Sequence, residues 1–314
     1  MNRASSATGW VRNPDGTMGW TWNPMSGCLN HVNGMCKGGD FPCYAYKLAN
    51  GRLKSKYLAN QNVAYCYEKG EEFIGPPELV GKCDYSDPFY PRFWPEKLLE
   101  LRTRKPRYQA MTKAKGIFVC DMSDLFGIGI PEEWTQQVLE TIKACPQHRF
   151  YLLTKQPQNL IKWEFPDNCW VGVSATNQIM WNESLRYLTD IKASVKYLSI
   201  EPYLGRIVPE YTLMLKSGIK WLIIGSLTLT LEDYSNSNYA MRRGLKLKQW
   251  GKKWTVQPDI EWVREIVEAA DKAKIPVFLK DNLRPLLNGN EDMAVKIPLI
   301  NDKYSWRQEL PDVS

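Results

Sequence analysis

Short apolar runs recur along the chain and predict buried β-strands. Each run is three to five residues long and is apolar at successive positions rather than at alternate ones. Many of these residues are β-branched or aromatic, which is typical of strands covered on both faces. The runs are Gly19–Trp22, Ile117–Cys120, Phe150–Leu153, Trp170–Val173, Tyr197–Ile200, Trp221–Gly225 and Val277–Leu279.

Helical patterns lie between most of these runs. Residues 131–144 begin with a proline at a plausible first helical position, and two acidic residues follow it. Residues 181–192 and 260–274 repeat apolar side chains at spacings of three and four. Alternating strands and helices favour a parallel sheet with right-handed crossovers. Together they predict an α/β fold with a partial or complete TIM-like (β/α) barrel, formed by a single domain over residues 1–314.

Two segments fall outside this alternation. Residues 51–107 lack a clear period and carry glycine, proline and aromatic residues, so we expect an insertion after the first strand, with helices but little sheet. Residues 227–256 look irregular and combine aromatic with basic side chains. These are Tyr234, Tyr239, Arg242, Arg243, Lys246, Lys248, Trp250, Lys252, Lys253 and Trp254.

Composition narrows the functional classes. No apolar run reaches about 18 residues, so no membrane span is expected. The first ten residues contain no apolar core of a secretory signal, which favours the cytoplasm. The net charge of +7 is compatible with a polyanionic partner. Only two histidines are present, so a histidine-rich metal site or a histidine-based catalytic triad is poorly supplied.

Polar residues directly follow five of the predicted strands. In a parallel barrel these positions share the carboxyl end of the sheet, where such folds build their sites. One cluster alone would only mark the end of a strand, but five favour a common site. They are Asp121, Ser123 and Asp124; Thr154 and Lys155; Ser174, Thr176 and Asn177; Glu201; and Lys280, Asp281 and Asn282.

Three of the eight cysteines follow the first strand closely. Cys28, Cys36 and Cys43 are spaced C-x7-C and C-x6-C among glycines. In a reducing compartment such thiols are metal ligands more often than disulfides. They can hold three irons of a [4Fe–4S] cube and leave the fourth iron open to the amino and carboxylate groups of S-adenosylmethionine (SAM). Structural zinc, with His31 or a later cysteine as fourth ligand, is the competing interpretation.

The remaining cysteines are expected to be structural. Cys66, Cys83, Cys145 and Cys169 carry no ligand pattern, and two further thiols are too few for a second cluster. Cys120, which ends a predicted strand, is expected to be a buried small side chain, with a radical-relay thiol as the alternative.

The cysteine segment resembles the phage Gp37/Gp68-type family of three-cysteine proteins, which is regarded as radical SAM-like. Matching segments continue in order down the chain, so the resemblance covers nearly all of it. They are Thr21–Cys28 with Cys36 and Cys43–Ala45, Phe118–Phe126, Leu152–Pro157, Val171–Ser174, Ser199–Gly205 and Pro276–Leu283. Two departures stand out: residues 37–42 lengthen the gap between the second and third cysteines, and Gly225-Ser226-Leu227 replaces a Gly-Gly-Glu-like turn.

The resemblance implies roles for the polar strand ends. Asp121, Ser123 and Asp124 would lie near the methionine end of SAM, and Ser174, Thr176 and Asn177 near its ribose or carboxylate. Glu201 would accept from ribose hydroxyls or contact the substrate. Tyr44 would pack on the cluster or the adenine, with a core tyrosine as the alternative. Lys155 and Lys280 would bind a carboxylate or phosphate, with structural ion pairs to Asp121, Glu201 or Asp281 as the alternative.

These observations predict a radical SAM enzyme that modifies or rearranges a nucleobase, or a group attached to one, on phage or host nucleic acid. The implied cofactors are a [4Fe–4S] cluster and SAM, with a flavodoxin- or ferredoxin-like electron donor and no membrane partner. For a phage protein the compartment would be the host cytoplasm. Two alternatives stay open: a nucleic-acid-binding protein with a structural metal and no turnover, and a radical SAM enzyme acting on a small molecule or peptide.

Overall fold

The computed structural model describes residues 1–5, 8–64, 84–102, 113–230, 233, 244–287 and 306–312. These residues form two compact units. Unit 1 comprises Met1–Ala4, Val11–Trp170 and Lys192–Ser194, and unit 2 comprises Ser5–Trp10, Val171–Ile191 and Val195–Ser314. Both units have mixed α/β structure, and each contains a series of neighbouring parallel strands.

Unit 1 contains nine strands in its described residues, and four of them form one hydrogen-bonded series in the order β1–β2–β8–β9. β1 pairs antiparallel with β2, whereas β2 with β8 and β8 with β9 pair parallel. The rings of Trp22 and Phe150 lie 6.2 Å apart and are fully buried. The strands are β1 (Asn2–Arg3), β2 (Trp20–Trp22), β3 (Met25–Ser26), β4 (His31–Val32), β5 (Met35–Cys36), β6 (Phe41–Pro42), β7 (Arg92–Phe93), β8 (Gly116–Val119) and β9 (Arg149–Thr154).

Four helices of unit 1 lie in its described part. They are α1 (Tyr44–Asn50), α2 (Lys54–Leu58), α3 (Pro95–Arg102) and α4 (Glu132–Lys143). α4 follows the sequence closely: Pro131 precedes it, Glu132 and Glu133 occupy its first turn and Lys143 its last. These charges oppose the partial charges of the helix ends and therefore stabilise it.

Unit 2 repeats the strand–helix alternation. Its strands β10 (Cys169–Ser174, from Val171 onward), β11 (Val195–Ile200), β12 (Ile219–Ile224) and β16 (Val277–Leu279) are neighbours in that order. β11 with β12 and β12 with β16 pair parallel. A second sheet has the order β13 (Leu227–Leu229), β15 (Lys253–Gln257), β14 (Lys246–Trp250). The helices are α5 (Gln178–Asp190), α6 (Tyr211–Ser217) and α7 (Ile260–Lys272), with a 3₁₀ helix over Asp281–Leu287.

Aromatic side chains fill one face of the parallel strands of unit 2. Tyr197 and Trp221 are partners in the β11–β12 register, and their rings lie 5.6 Å apart. Trp10 packs on both, at 5.9 and 6.1 Å. Gly172 is required in β10 because a Cβ there would collide with the Tyr197 ring. This face therefore has a dense core below the strand ends that carry the candidate polar residues.

The mixed α/β fold with largely parallel strands is confirmed, and each predicted strand and helix is present with bounds shifted by at most a few residues. A TIM-like barrel and a single domain over the whole chain stay predictions. The prediction of an irregular segment at 227–256 was wrong for its described residues, which form the sheet β13–β15–β14. In the 51–107 insertion the described residues contain α2, α3 and the short strand β7.

The helices also bear on the expectation that the chain has no membrane span. None of those in the described ranges is long and apolar enough to cross a membrane.

Candidate active site

The three cysteines lie on one loop of unit 1, between β3 and α1. Cys28 follows β3, Cys36 ends β5, and Cys43 immediately precedes α1. Between the first and last, β4, β5 and β6 form a small antiparallel sheet in which Cys36 pairs with both His31 and Phe41. Of residues 37–42, which lengthen the cysteine spacing, 37–40 form the turn between β5 and β6, and 41–42 are β6 itself. They are closed by a hydrogen bond from the Asp40 N–H to the Cys36 carbonyl (2.7 Å), so the extra length is folded into a tight hairpin.

Gly27 fixes the start of this loop. Its φ is +87°, a conformation that side-chain-bearing residues rarely adopt. A Cβ there would lie 2.5 Å from the carbonyl oxygens of both Phe89 and Tyr90. The next residue, Cys28, donates its N–H to the Phe89 carbonyl at 3.0 Å, and Gly27 donates to the Met122 carbonyl at 3.0 Å. Close backbone packing thus holds Cys28 in position.

The thiols lie in apolar surroundings. Cys28 and Cys43 pack against a buried cluster of Ala45, Ala49, Tyr57, Phe89 and Met122. Burial raises the pKa of both thiols, and neighbouring acidic groups add to the effect at Cys28. Backbone amides act in the opposite direction: the Asn30 N–H donates to Cys28 Sγ at 3.3 Å, and the Tyr46 amide lowers the pKa of Cys43. Without a metal these thiols therefore stay protonated, and a soft cation is what would favour their thiolates.

His31 has a structural place in the same hairpin. Its ring packs against Tyr46 at 5.0 Å and Phe89 at 5.3 Å, and its Nδ1 accepts the Gly34 N–H at 3.3 Å. Burial lowers its pKa, so the ring is neutral at physiological pH. Hydrogen bonding and packing already account for this histidine, which weakens its case as a fourth zinc ligand.

The loop after β8 lies beside the cysteine loop. Asn23, which the sequence reasoning missed, donates from Nδ2 to the Asp121 carboxylate and accepts the Met122 N–H at 3.1 Å. Burial raises the pKa of Asp121, and the bond from Asn23 opposes that shift. The Tyr44 hydroxyl donates to the Asp121 carbonyl, but the Tyr44 side chain is 56% exposed, so the alternative of a core tyrosine was wrong. Asn23 lies in the segment Thr21–Cys28 that carries the family resemblance, and this was the signal that could have marked it as a site residue.

Cys120 and Ser123 open and close this turn. Cys120 has φ +62°, an unusual conformation for a cysteine, and is 3% exposed. Burial raises the pKa of its thiol to about 12, and the Ser123 hydroxyl beside it acts against that shift. The expected buried small side chain is confirmed.

Asp124 links this turn to the end of β9. Its carboxylate accepts the Thr154 hydroxyl at 2.9 Å and the backbone N–H groups of Lys155 and Phe126 at 3.0 and 3.1 Å. Burial raises its pKa, and these donors oppose the shift. With both oxygens already engaged, Asp124 serves to position the strand ends.

Lys155 reaches over the cysteine hairpin. A Cβ at Gly38 would lie 2.6 Å from Lys155 Cδ, and Lys155 Nζ lies 5.8 Å from the centroid of the Phe41 ring. The positive charge lowers the pKa of Cys43, against the effect of burial. The structure therefore places Lys155 over the hairpin and close enough for its charge to act on Cys43.

In unit 2, Glu201 and Lys280 form an ion pair. Lys280 follows β16, is 4% exposed and donates from Nζ to Glu201 Oε1. Gly225 lies against both, since a Cβ there would be 2.9 Å from Lys280 and 3.2 Å from Glu201. This is the ion-pair alternative considered for Lys280. The Glu201 side chain keeps 25% exposure, so one face of the pair is open to a ligand.

The other predicted residues of unit 2 surround the end of β10. Ser174 and Thr176 are buried, and Thr176 Oγ1 lies 3.2 Å from Met180 Sδ. Asn177 caps α5 by accepting the Met180 N–H at 3.1 Å, which is an ordinary helix-capping role. Ser199 Oγ on β11 is buried without a hydrogen-bond partner. That orphaned hydroxyl was missed because Ser199 lies inside an apolar run.

The donor set favours one class of metal centre. Among the residues that the structure describes, no three histidine, cysteine or acidic side chains group closely enough to hold one metal ion. A cube bound through three thiolates places each of them on a different iron, so it does not require that grouping. Three soft donors on one loop, with backbone amides at Cys28 and Cys43 and the positive charge of Lys155 acting on Cys43, fit an iron–sulfur cluster. Of the other cysteines, Cys145 and Cys169 are buried, and Cys66 and Cys83 lie outside the described residues.

Comparison with known proteins decides the family. The model of DUF5131, a protein family of unknown function, matches residues 16–228, which include all three cysteines of the loop. The chain belongs to the DUF5131 family. The match extends from β2 to β13. The resemblance to the Gp37/Gp68-type family stays a prediction, and no curated protein matches the chain.

Solved structures give a weaker likeness. One is spore photoproduct lyase complexed with dinucleoside spore photoproduct, at 11% identity and a TM-score of 0.44, covering 82% of this chain and 74% of that one. Another is a mutant of that lyase with bound AdoMet and dinucleoside spore photoproduct, at 13% identity and 0.44, covering 86% and 78%. Such scores are too low to carry an inference from that enzyme to the site described above.

Proposed function

We propose that this DUF5131 protein is a radical SAM enzyme whose [4Fe–4S] cluster is held by Cys28, Cys36 and Cys43. The observation that carries the proposal is the loop of three cysteines between β3 and α1, closed by Gly27 at one end and by helix α1 at the other. Free thiols gain little from these surroundings, whereas thiolates on iron gain amide donors and a nearby cation. When bound, the cluster with SAM on its open iron supplies a 5′-deoxyadenosyl radical.

The residues of unit 1 support this chemistry by position and charge. Asp121, oriented by Asn23, is the carboxylate available to a cationic group such as the SAM amine. Ser123 supplies a buried hydroxyl in the same turn. Asp124 holds the end of β9 in place, so that Lys155 extends over the hairpin. Lys155 compensates negative charge at the thiolates or binds the SAM carboxylate.

The polar strand ends of unit 2 are proposed as further ligand contacts. Glu201 presents an open carboxylate face that suits ribose hydroxyls, and the ion pair with Lys280 holds that carboxylate in place. Ser174, Thr176 and the orphaned Ser199 hydroxyl offer hydrogen bonds to a polar ligand. The side-chain oxygen of Asn177 caps α5, so only its amide nitrogen is proposed to contact the ribose or carboxylate of SAM.

The proposed substrate is a nucleobase, or a group attached to one, on nucleic acid. The net charge of +7 and the resemblance to a phage family support this class. A flavodoxin- or ferredoxin-like protein would supply the electron. The two alternatives, a structural-metal protein without turnover and an enzyme acting on a small molecule or peptide, are separated by experiment.

Anaerobic reconstitution with iron and sulfide tests the proposal. The native chain should bind about four iron atoms, show broad sulfur-to-iron charge-transfer absorption and release 5′-deoxyadenosine from SAM after reduction. Cys36→Ala should lose most of the iron and all SAM cleavage, and Cys169→Ala, a buried cysteine on β10, serves as the matched control that keeps both. One equivalent of zinc without iron in well-folded native protein would favour the structural-metal alternative and overturn the proposal.

A further inference from the structure

The small sheet of unit 2 has two unlike faces. Residues paired in an antiparallel register lie on the same face, and faces alternate along each strand. One face carries Leu227, Leu229, Leu247, Trp254 and Val256. The other carries Lys246, Lys248 and Trp250 of β14 together with Lys253, Thr255 and Gln257 of β15. The first face is apolar apart from Gln249, which pairs with Trp254. The second carries three lysines, with Lys246 near the base of the β14–β15 hairpin and Lys248 and Lys253 closer to its tip.

The charge of this hairpin has one sign. Residues 244–258 contain four lysines, Lys246, Lys248, Lys252 and Lys253, and no aspartate or glutamate. Lys246, Lys252 and Lys253 are exposed, and Trp250, paired with Lys253, is partly exposed. An ordinary solvated strand face mixes both signs, so three lysines beside a tryptophan, without an acidic residue in the hairpin, indicate an anionic partner.

The base of the sheet is held by a buried polar network. Gln257 accepts the Ser226 hydroxyl at 2.9 Å and donates to the Asn282 carbonyl at 2.8 Å. Asn282 in turn donates to the Ser226 carbonyl at 2.7 Å. Ser226 follows Gly225, which lies against the Glu201–Lys280 pair. The hairpin is therefore fixed at the end of unit 2 that carries its candidate ligand-binding residues, and its tip projects from a rigid base.

The spacing identifies the kind of polyanion. Lys246 and Lys248 are two residues apart on one strand face, about 7 Å at the rise of a β-strand. The phosphates of a nucleic-acid strand recur at regular short intervals, so the two lysines can contact different phosphates of one strand. Trp250 continues the same row and presents an aromatic ring, which an unstacked base can cover.

We propose that the basic face of the β14–β15 hairpin binds single-stranded nucleic acid, with Lys246, Lys248 and Lys253 at phosphates and Trp250 stacked on a base. This inference rests on the proposed function for its biological purpose, since it delivers a nucleic-acid substrate. Its physical basis is the hairpin itself and does not involve the cysteines.

Fluorescence anisotropy with a labelled single-stranded DNA tests the inference, using the full chain as purified. The DNA is about 16 nucleotides long, which is the upper end of the usual site size. Replacing Lys246, Lys248 and Lys253 by Gln should lower the slope of log Kd against log salt by about 2, because each phosphate that a lysine neutralises contributes roughly 0.7 to that slope. The matched control replaces Lys143, Lys192 and Lys216, exposed lysines on other elements, by Gln and should leave the slope unchanged.

Trp250→Ala should weaken binding by about 5- to 150-fold without changing the salt slope, and Trp250→Phe should retain most of the affinity. Circular dichroism and thermal unfolding of each variant establish that it is folded. An equal decrease of the slope in the lysine control, full affinity of Trp250→Ala, or tighter binding to a duplex of the same sequence would overturn the inference. The binding assay works with iron-free protein. A negative binding result therefore does not affect the proposal of an iron–sulfur cluster, and a negative reconstitution result does not affect the proposal that the hairpin binds nucleic acid.

Discussion

Gly27 offers a test of how the cysteine loop is held. Gly27→Ala places a methyl group 2.5 Å from the carbonyl oxygens of Phe89 and Tyr90, neither of which can rotate away. An alanine in the left-handed region costs about 1–2 kcal/mol, and the reduced entropy of the unfolded chain offsets about 0.4–1 kcal/mol of that. Overpacking against backbone adds about 1–3 kcal/mol. The expected loss of unfolding free energy is therefore about 1–5 kcal/mol.

Gly16 provides the matched control in the same unit. Its φ of +78° resembles that of Gly27, but an added Cβ would meet nothing within 4 Å. Gly16→Ala should therefore lose only about 1 kcal/mol or less. The difference between the two variants isolates the close packing at Gly27 from the cost of the backbone conformation alone.

Thermal unfolding of both variants, followed by iron analysis after reconstitution, reads out the result. Each kcal/mol should lower the Tm by about 2–4 °C, so Gly27→Ala should melt clearly below Gly16→Ala. Gly27→Ala should also retain less iron, because any shift of the loop moves Cys28. Equal melting temperatures, or equal iron contents with unequal melting temperatures, would refute the argument that this contact positions Cys28.

Three further predictions follow from particular side chains. Burial lowers the pKa of His148 from 6.5 to about 4, so the unfolded chain binds the proton more tightly and stability falls as pH decreases from about 6.5 to 4. Between pH 7 and 5 the unfolding free energy of the native chain should therefore fall by about 2 kcal/mol more than that of His148→Gln. Parallel profiles of unfolding free energy against pH for the two proteins would contradict this. In denaturant titrations Glu201→Gln should lower the unfolding free energy by about 2–4 kcal/mol, because it leaves Lys280 buried without its partner. Lys280→Met should lower it less, because Glu201 reaches solvent. The reverse ranking would show that the pair is not the stabilising contact. Lys155→Met should make the reduction potential of the reconstituted cluster more negative in a spectroelectrochemical titration, while Lys162→Met on the exposed surface of the same unit should not change it.

The parallel strands could be predicted because burial on both faces leaves a continuous apolar run. Val277–Leu279 matches the observed strand in both bounds, and the helix at Glu132–Lys143 was marked by Pro131 and its charged ends. These signals are local, so no tertiary information was needed to find them.

The sheet at residues 227–256 could not be found in the same way. Its alternation of polar and apolar residues, as in Lys246-Leu247-Lys248, has the period of a strand. The segment was instead interpreted by its content of lysine and tryptophan. Half of that strand is solvated, so the continuous apolar run that marked the other strands is absent. The remaining sequence signal for a hairpin was Gly251, which adopts a φ of +59° in the turn.

Candidate site residues were predictable in type but not in partnership. The sequence placed Lys155 and Lys280 alike at strand ends, yet one lies over the cysteine hairpin and the other is paired with Glu201. Asn23 was missed altogether because an asparagine before a proline reads as a turn residue. Such partnerships depend on contacts between residues far apart in the chain, which spacing does not encode.

Electron paramagnetic resonance of the reduced, reconstituted protein with and without SAM tests the central claim most directly. An open iron on a three-thiolate cluster binds the amino and carboxylate groups of SAM, so its spectrum should change on addition of SAM in the native chain and in Cys169→Ala. A cluster signal that is indifferent to SAM, or the absence of any cluster in folded protein, would contradict the assignment of Cys28, Cys36 and Cys43 as the ligands of a SAM-binding cluster.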